Sequence, residues 1–150
     1  MRGVLLLLLA SCSVAGSDPT GDDDGSIIPI GPGGSCQADR QCSGGQLCAR
    51  TSQCYAPSQI RAVHVTWTLD GLPASATTCS SAESLDIYFR GDRSLGERIG
   101  YSPVPCSSGK FSIDKLPIWY TQVELGGGDV ARETAQLDGA TGEATLDLHH

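Results

Sequence analysis

Residues 63–71 read Val63-His64-Val65-Thr66-Trp67-Thr68-Leu69-Asp70-Gly71. Val63, Val65, Trp67 and Leu69 are apolar at period two, with His64, Thr66 and Thr68 between them, and Asp70-Gly71 follows as a turn signal. Successive strand side chains point to opposite faces, so the segment predicts a half-buried strand with Trp67 on its inner face.

The same texture continues downstream. Leu85, Ile87 and Phe89 alternate with Asp86, Tyr88 and Arg90 before Gly91-Asp92 turns the chain. Phe111 and Ile113 alternate similarly, and Trp119, Thr121, Val123 and Leu125 form a further face closed by Gly126-Gly127-Gly128-Asp129. Val130 to Leu137 and Ala144 to Leu148 are two more short runs, parted by Asp138-Gly139-Ala140-Thr141-Gly142. No window carries a helical stripe. Short strands with turn signals every roughly 8–12 residues predict an antiparallel β-sandwich of about seven strands over residues 59–150. Cys79 and Cys106 flank the Leu85–Arg90 strand. A bridge between them closes a loop of about 28 residues, worth roughly 3–4 kcal/mol in the chain-entropy model.

Upstream lies CQADRQCSGGQLCARTSQC, residues 36–54, with cysteines spaced C-x5-C-x5-C-x5-C. A segment of about 20 residues is too short for a hydrophobic core and needs covalent staples. Structural zinc sites present C-x2–4-C pairs, which this spacing lacks, so two disulfides are expected within a module over residues 36–56. The spacing leaves their connectivity open; interleaved Cys36–Cys48 and Cys42–Cys54 is the favoured pairing. Asp39 and Gly44-Gly45 suit tight turns between the cysteines.

The amino terminus opens with Arg2 and the apolar run Val4 to Ala10, long enough for a signal peptide and far short of the ~20 residues that span a bilayer. Leu9-Ala10-Ser11-Cys12 resembles the bacterial lipobox. The resemblance implies a leader over residues 1–11 and a Cys12 that becomes the lipid-modified first residue. Two or three acyl chains give a stable membrane anchor. Residues 12–35 are rich in Gly, Ser, Asp and Pro and read as a lipid-anchored tether of roughly 25–30 Å. Asp22-Asp23-Asp24 reads as a solvated acidic run rather than a calcium loop, and Ile27-Ile28-Pro29-Ile30 is a stretch that could dock on the body. Ser13 after the cysteine, where an inner-membrane retention signal would place Asp, points to the outer membrane.

Cysteine arithmetic agrees with an oxidising compartment. Of 7 cysteines, Cys12 goes to the lipid, leaving Cys36, Cys42, Cys48, Cys54, Cys79 and Cys106 to pair. The formal net charge is -7; no basic run occurs in the sequence, which argues against nucleic acid as a partner.

Two further resemblances concern architecture. Cys36, Asp39, Cys42, Gly45, Cys48 and Cys54 match a CxxDxxCxxGxxCxxxxxC unit that is similar to the amino-terminal cysteine-rich segment of Dickkopf-type proteins and to units behind the lipobox of myxobacterial lipoproteins. Val65-Thr66-Trp67-Thr68-Leu69-Asp70-Gly71, with Gly109 through Leu125, resembles the transthyretin-like or carboxypeptidase-regulatory-type sandwich. Both resemblances imply domains that support or bind.

Catalytic motifs do not emerge. His64, His149 and His150 are the only histidines; His64 falls mid-strand, and His149-His150 end the chain, where fraying is expected. Elbow, zincin, phosphate-loop and dinucleotide motifs are missing. The expected role is therefore a non-catalytic structural or protein-interaction lipoprotein of the cell envelope, with no cofactor and no metal. The partners expected are the membrane, through lipid on Cys12, and an envelope protein. A glycan-binding accessory module using Trp67 and Trp119 as platforms is the alternative, and a protease-inhibitor-like cysteine-rich module is another. Both tryptophans fall on apolar strand faces, which predicts core packing instead.

Overall fold

The computed structural model describes residues 35–92 and 97–150. Cys12, the leader, the Asp22–Asp24 run and the Ile27–Ile30 stretch lie outside them.

The chain is mainly β, a small disulfide module followed by a two-sheet sandwich. The module carries β1 (Leu47–Cys48) paired antiparallel with β2 (Cys54–Tyr55). The sandwich follows with β3 (Ile60–Leu69), β4 (Leu72–Pro73), β5 (Ser84–Gly91), β6 (Arg98–Pro105), β7 (Lys110–Pro117), β8 (Tyr120–Gly127), β9 (Val130–Gln136) and β10 (Glu143–Leu148). One sheet has β3 between β10 and β7, with β4 beyond β7's end of the pairing; the other runs β6-β5-β8-β9.

β3 follows its sequence pattern. Val63, Val65, Trp67 and Leu69 are buried, and Asp70 and Gly71 take φ of 48° and 75°, the left-handed pair that a two-residue hairpin into β4 requires. Facing β3 across the interior, Leu85, Ile87, Phe89, Val123 and Leu125 complete one contiguous core with Leu116, Leu146 and Leu148. Burying each such side chain contributes roughly 1.5–3 kcal/mol.

Two features depart from the sequence expectation. The pairing is antiparallel throughout the described sandwich except that β10 joins β3 in parallel, Glu143 opposite His64 through Leu148 opposite Leu69. The chain leaves β9 and crosses from one sheet to the other at a turn that Asp138 holds: its Oδ1 accepts from the Ala140 and Thr141 amides. Having changed sheets, it runs alongside β3 in the same direction. Sequence alternation also does not mark β6. Gly100, Pro103 and Pro105 interrupt it, and these residues suit an edge strand that donates few ladder hydrogen bonds on its outer side.

The disulfides are Cys36–Cys48, Cys42–Cys54 and Cys79–Cys106. The first two are interleaved. The carboxyl terminus is tied rather than frayed: Ala131 N–H donates to the His149 carbonyl at 2.8 Å, and His149 Nδ1 lies 3.1 Å from Asp70 Oδ1.

The module docks at a bulge. Between Arg61↔Leu116 and Val63↔Ile113 the register slips by one residue on β7, and Lys115 there has φ of 54°. The bulge turns Asp114 and Lys115 outward. Lys115 Nζ binds Asp39 Oδ2 at 2.7 Å, Arg50 pairs with Asp114, and the Arg50 amide donates to the Lys115 carbonyl at 3.2 Å. Tyr55 meets Trp119 edge-on with centroids 4.9 Å apart. The module thus covers part of an otherwise open sheet edge, a place where unpaired backbone groups invite aggregation.

Candidate functional site

Each sheet has an outward face, and the two differ in chemistry. Across β10, β3 and β7 the outward side chains are mostly short hydroxyls and acids. Thr66 Oγ1 lies 3.0 Å from Thr145 Oγ1, Thr68 donates to Asp147 at 2.7 Å, and His64 Nδ1 lies 3.0 Å from Ser112 Oγ. The last pair brings a hydroxyl to an imidazole. All of His64, Ser112 and Glu143, which faces His64 from β10, are exposed on a flat ladder. Backbone amides nearby serve strand pairing, so an oxyanion would find no preorganised donors. A cross-strand polar pair accounts for the contact.

The outward face of β6-β5-β8-β9 is built differently. Because Leu85, Ile87 and Phe89 point inward, Asp86, Tyr88 and Arg90 must point outward. Register places Tyr88 between Gly100 of β6 and Glu124 of β8, and Arg90 between Arg98 and Gln122. Thr134 and Gln136 of β9 extend the two rows. Nothing large stands at Gly100, so the Tyr88 ring lies over it; a Cβ there would collide with the ring.

Glu124 sits at the centre, only 7% exposed. Its carboxylate pairs with Arg90, receives a hydrogen bond from Arg132 Nη1 at 3.1 Å and lies 3.5 Å from Arg98 Nη2. Burying a carboxylate costs several kcal/mol unless it is paired, and three guanidinium groups offset that cost here. Arg132 Nη2 also binds Asp86 Oδ2 at 3.0 Å. The Asp86 carboxyl is held below its ordinary range, first by a hydrogen bond from Ser102, then by Arg132. Arg98 lies against the Tyr88 ring, its Cζ 3.3 Å from the centroid, and Arg132 stands 5.3 Å from the same centroid. Guanidinium groups so placed are attracted to the ring face.

The sequence shows no basic run because these arginines are spread over residues 90 to 132. Strand pairing brings them together. The signal available beforehand was the outward set Asp86, Tyr88 and Arg90, which alternates with core residues.

The sequence-predicted residues fall elsewhere. Trp67 and Trp119 are 3% and 6% exposed, so no stacking platform is made from them. Trp119 Nε1 and the Tyr120 hydroxyl both donate to Glu97 Oε1, at 3.2 and 3.1 Å. Burial, reinforced by Glu97, pushes the Tyr120 hydroxyl well above its ordinary pKa. Among the described residues, the Sγ atoms of Cys36, Cys42 and Cys54 lie within 4.8 Å of one another. Those sulfurs are already bonded as disulfides and have no thiolate to offer an ion. Comparison with known proteins adds no relative: no family model, curated protein or solved structure matches this chain.

Proposed function

We propose that the chain is a non-catalytic interaction domain, held at the cell envelope by lipid on Cys12, which presents the outward face of β6-β5-β8-β9 to a partner protein. The observation that carries this reading is the array of Arg90, Arg98 and Arg132 around Glu124 and Tyr88. Arginine and tyrosine are the residue types that dominate binding energy at protein interfaces, and here they are already ordered by ion pairs and ring contact. The envelope assignment draws its support from Leu9-Ala10-Ser11-Cys12 and from six cysteines paired in disulfides.

Site-specific photocrosslinking in intact cells tests the reading. A photoreactive residue at Thr134, exposed on the arginine face, should give a discrete protein adduct; the same group at Thr145, on the hydroxyl face, should not. Equal labelling from both positions, or none from Thr134, refutes the assignment.

A further inference from the structure

The arginine face runs against the sign of the whole protein. Three guanidinium groups meet two carboxylates, Glu124 and Asp86, in a chain whose formal net charge is -7. Acidic groups predominate elsewhere, so this face is where an acidic partner meets attraction rather than repulsion.

The three arginines are not equivalent. Arg90 and Arg132 direct donors into Glu124 by hydrogen bond, and Arg132 adds Asp86. Arg98 approaches Glu124 only to 3.5 Å, beyond the usual N–H···O distance. It is held instead by the Tyr88 ring, while 41% of its side chain stays exposed. A guanidinium fixed against a ring keeps its planar fork ordered, so little rotamer freedom remains to be lost on binding. That fork matches a carboxylate in bidentate geometry.

Ring geometry also selects the class of partner. Sugars bind protein aromatics by stacking on an open ring face. The ring of Tyr88 lies over Gly100 and carries Arg98 against it, with Arg132 nearby, so little of it is left to receive a sugar.

We infer that Arg98, stacked on Tyr88 and flanked by Arg90, anchors a carboxylate of an acidic segment in the partner protein. This assignment rests on the interaction-face reading and supplies the partner's chemistry.

Fluorescence anisotropy with the purified full chain and a labelled hexaglutamate peptide tests it. Binding should weaken about tenfold in Arg98→Ala, the scale of one charge-assisted pair. Arg98→Lys should weaken it too, since charge remains but the fork is lost. Lys110→Ala, which removes one positive charge from the opposite sheet, should leave it unchanged. Equal loss in Lys110→Ala would reduce the effect to overall charge and overturn the assignment. So would an absence of hexaglutamate binding at low salt, or tighter binding of polygalacturonate, the carboxylated glycan, than of the peptide. The Thr134 crosslink separates the two levels. An adduct of unchanged yield in Arg98→Ala cells removes the acidic-segment assignment and leaves the interaction face standing; loss of the adduct in the otherwise unaltered chain removes the face itself.

Discussion

The indole Nε1–H of Trp67 donates to the carbonyl oxygen of Cys106 at 2.9 Å. Cys106 is wholly buried and bridged to Cys79, so one hydrogen bond ties the carboxyl-terminal part of β3 to the half-cystine that follows β6. The bond joins that of the Gly109 amide, 3.2 Å from the same oxygen, and it fixes the largest side chain of β3 in a single orientation between the sheets. Burial of an aromatic body with its polar tip paired is the arrangement in which tryptophan stabilises most.

Trp67→Ala should therefore cost roughly 3–5 kcal/mol, the scale of a large-to-small core change. Trp67→Phe retains most of the apolar volume and leaves the Cys106 carbonyl with the Gly109 amide as its donor, so losing the indole hydrogen bond should cost only about 0.5–1.5 kcal/mol. Urea denaturation under oxidising conditions measures both. Acrylamide should quench neither Trp67 nor Trp119 efficiently; an exposed indole signal contradicts the burial.

Removing the sandwich disulfide should cost nearly as much as Trp67→Ala. Cys79 and Cys106 are separated by 27 residues, and in the chain-entropy model the paired Cys79→Ser and Cys106→Ser variant loses roughly 3–4 kcal/mol. Non-reducing peptide mapping should recover Cys79 with Cys106, Cys36 with Cys48 and Cys42 with Cys54. A Cys36–Cys42 peptide would exclude the interleaved knot.

The seam between module and sandwich should respond to acid. A hydrogen bond from Lys115, then one from the Cys48 amide, holds the Asp39 carboxyl below its ordinary range. A depressed carboxyl contributes stability that is complete above the unfolded value of about 3.9 and is lost as pH falls through the folded one. The Cys48 amide resonance, which reports Asp39 Oδ1 at 3.0 Å, should titrate below pH ~3.9, and Lys115→Met should raise its midpoint. A midpoint unmoved by that substitution removes the Asp39–Lys115 tie from the seam.

Lipidation makes the plainest chemical prediction. The mature chain should begin at Cys12 with acyl mass added, and Cys12→Ser should release the protein from the membrane fraction. An unmodified amino terminus beyond residue 12 contradicts the anchor.

Local pattern was enough for much of the fold. The alternation of Val63, Val65, Trp67 and Leu69 determined which face of β3 is buried, because a strand side chain has only two directions and water selects between them for apolar groups. Even cysteine spacing in a segment too short for a core called for two bridges, and Asp70-Gly71 marked its hairpin since few residue pairs tolerate two left-handed conformations. Tertiary structure decided the rest. Neither the parallel union of β10 with β3 nor the docking of the cysteine module on the Lys115 bulge is encoded in any local window, for both depend on which distant edges meet. Arg90, Arg98 and Arg132 illustrate the same limit at the candidate site. Outward positions carry no hydrophobic constraint, so sequence leaves them free to vary, and only the pairing of β5, β6, β8 and β9 places three guanidinium groups around the buried carboxylate of Glu124.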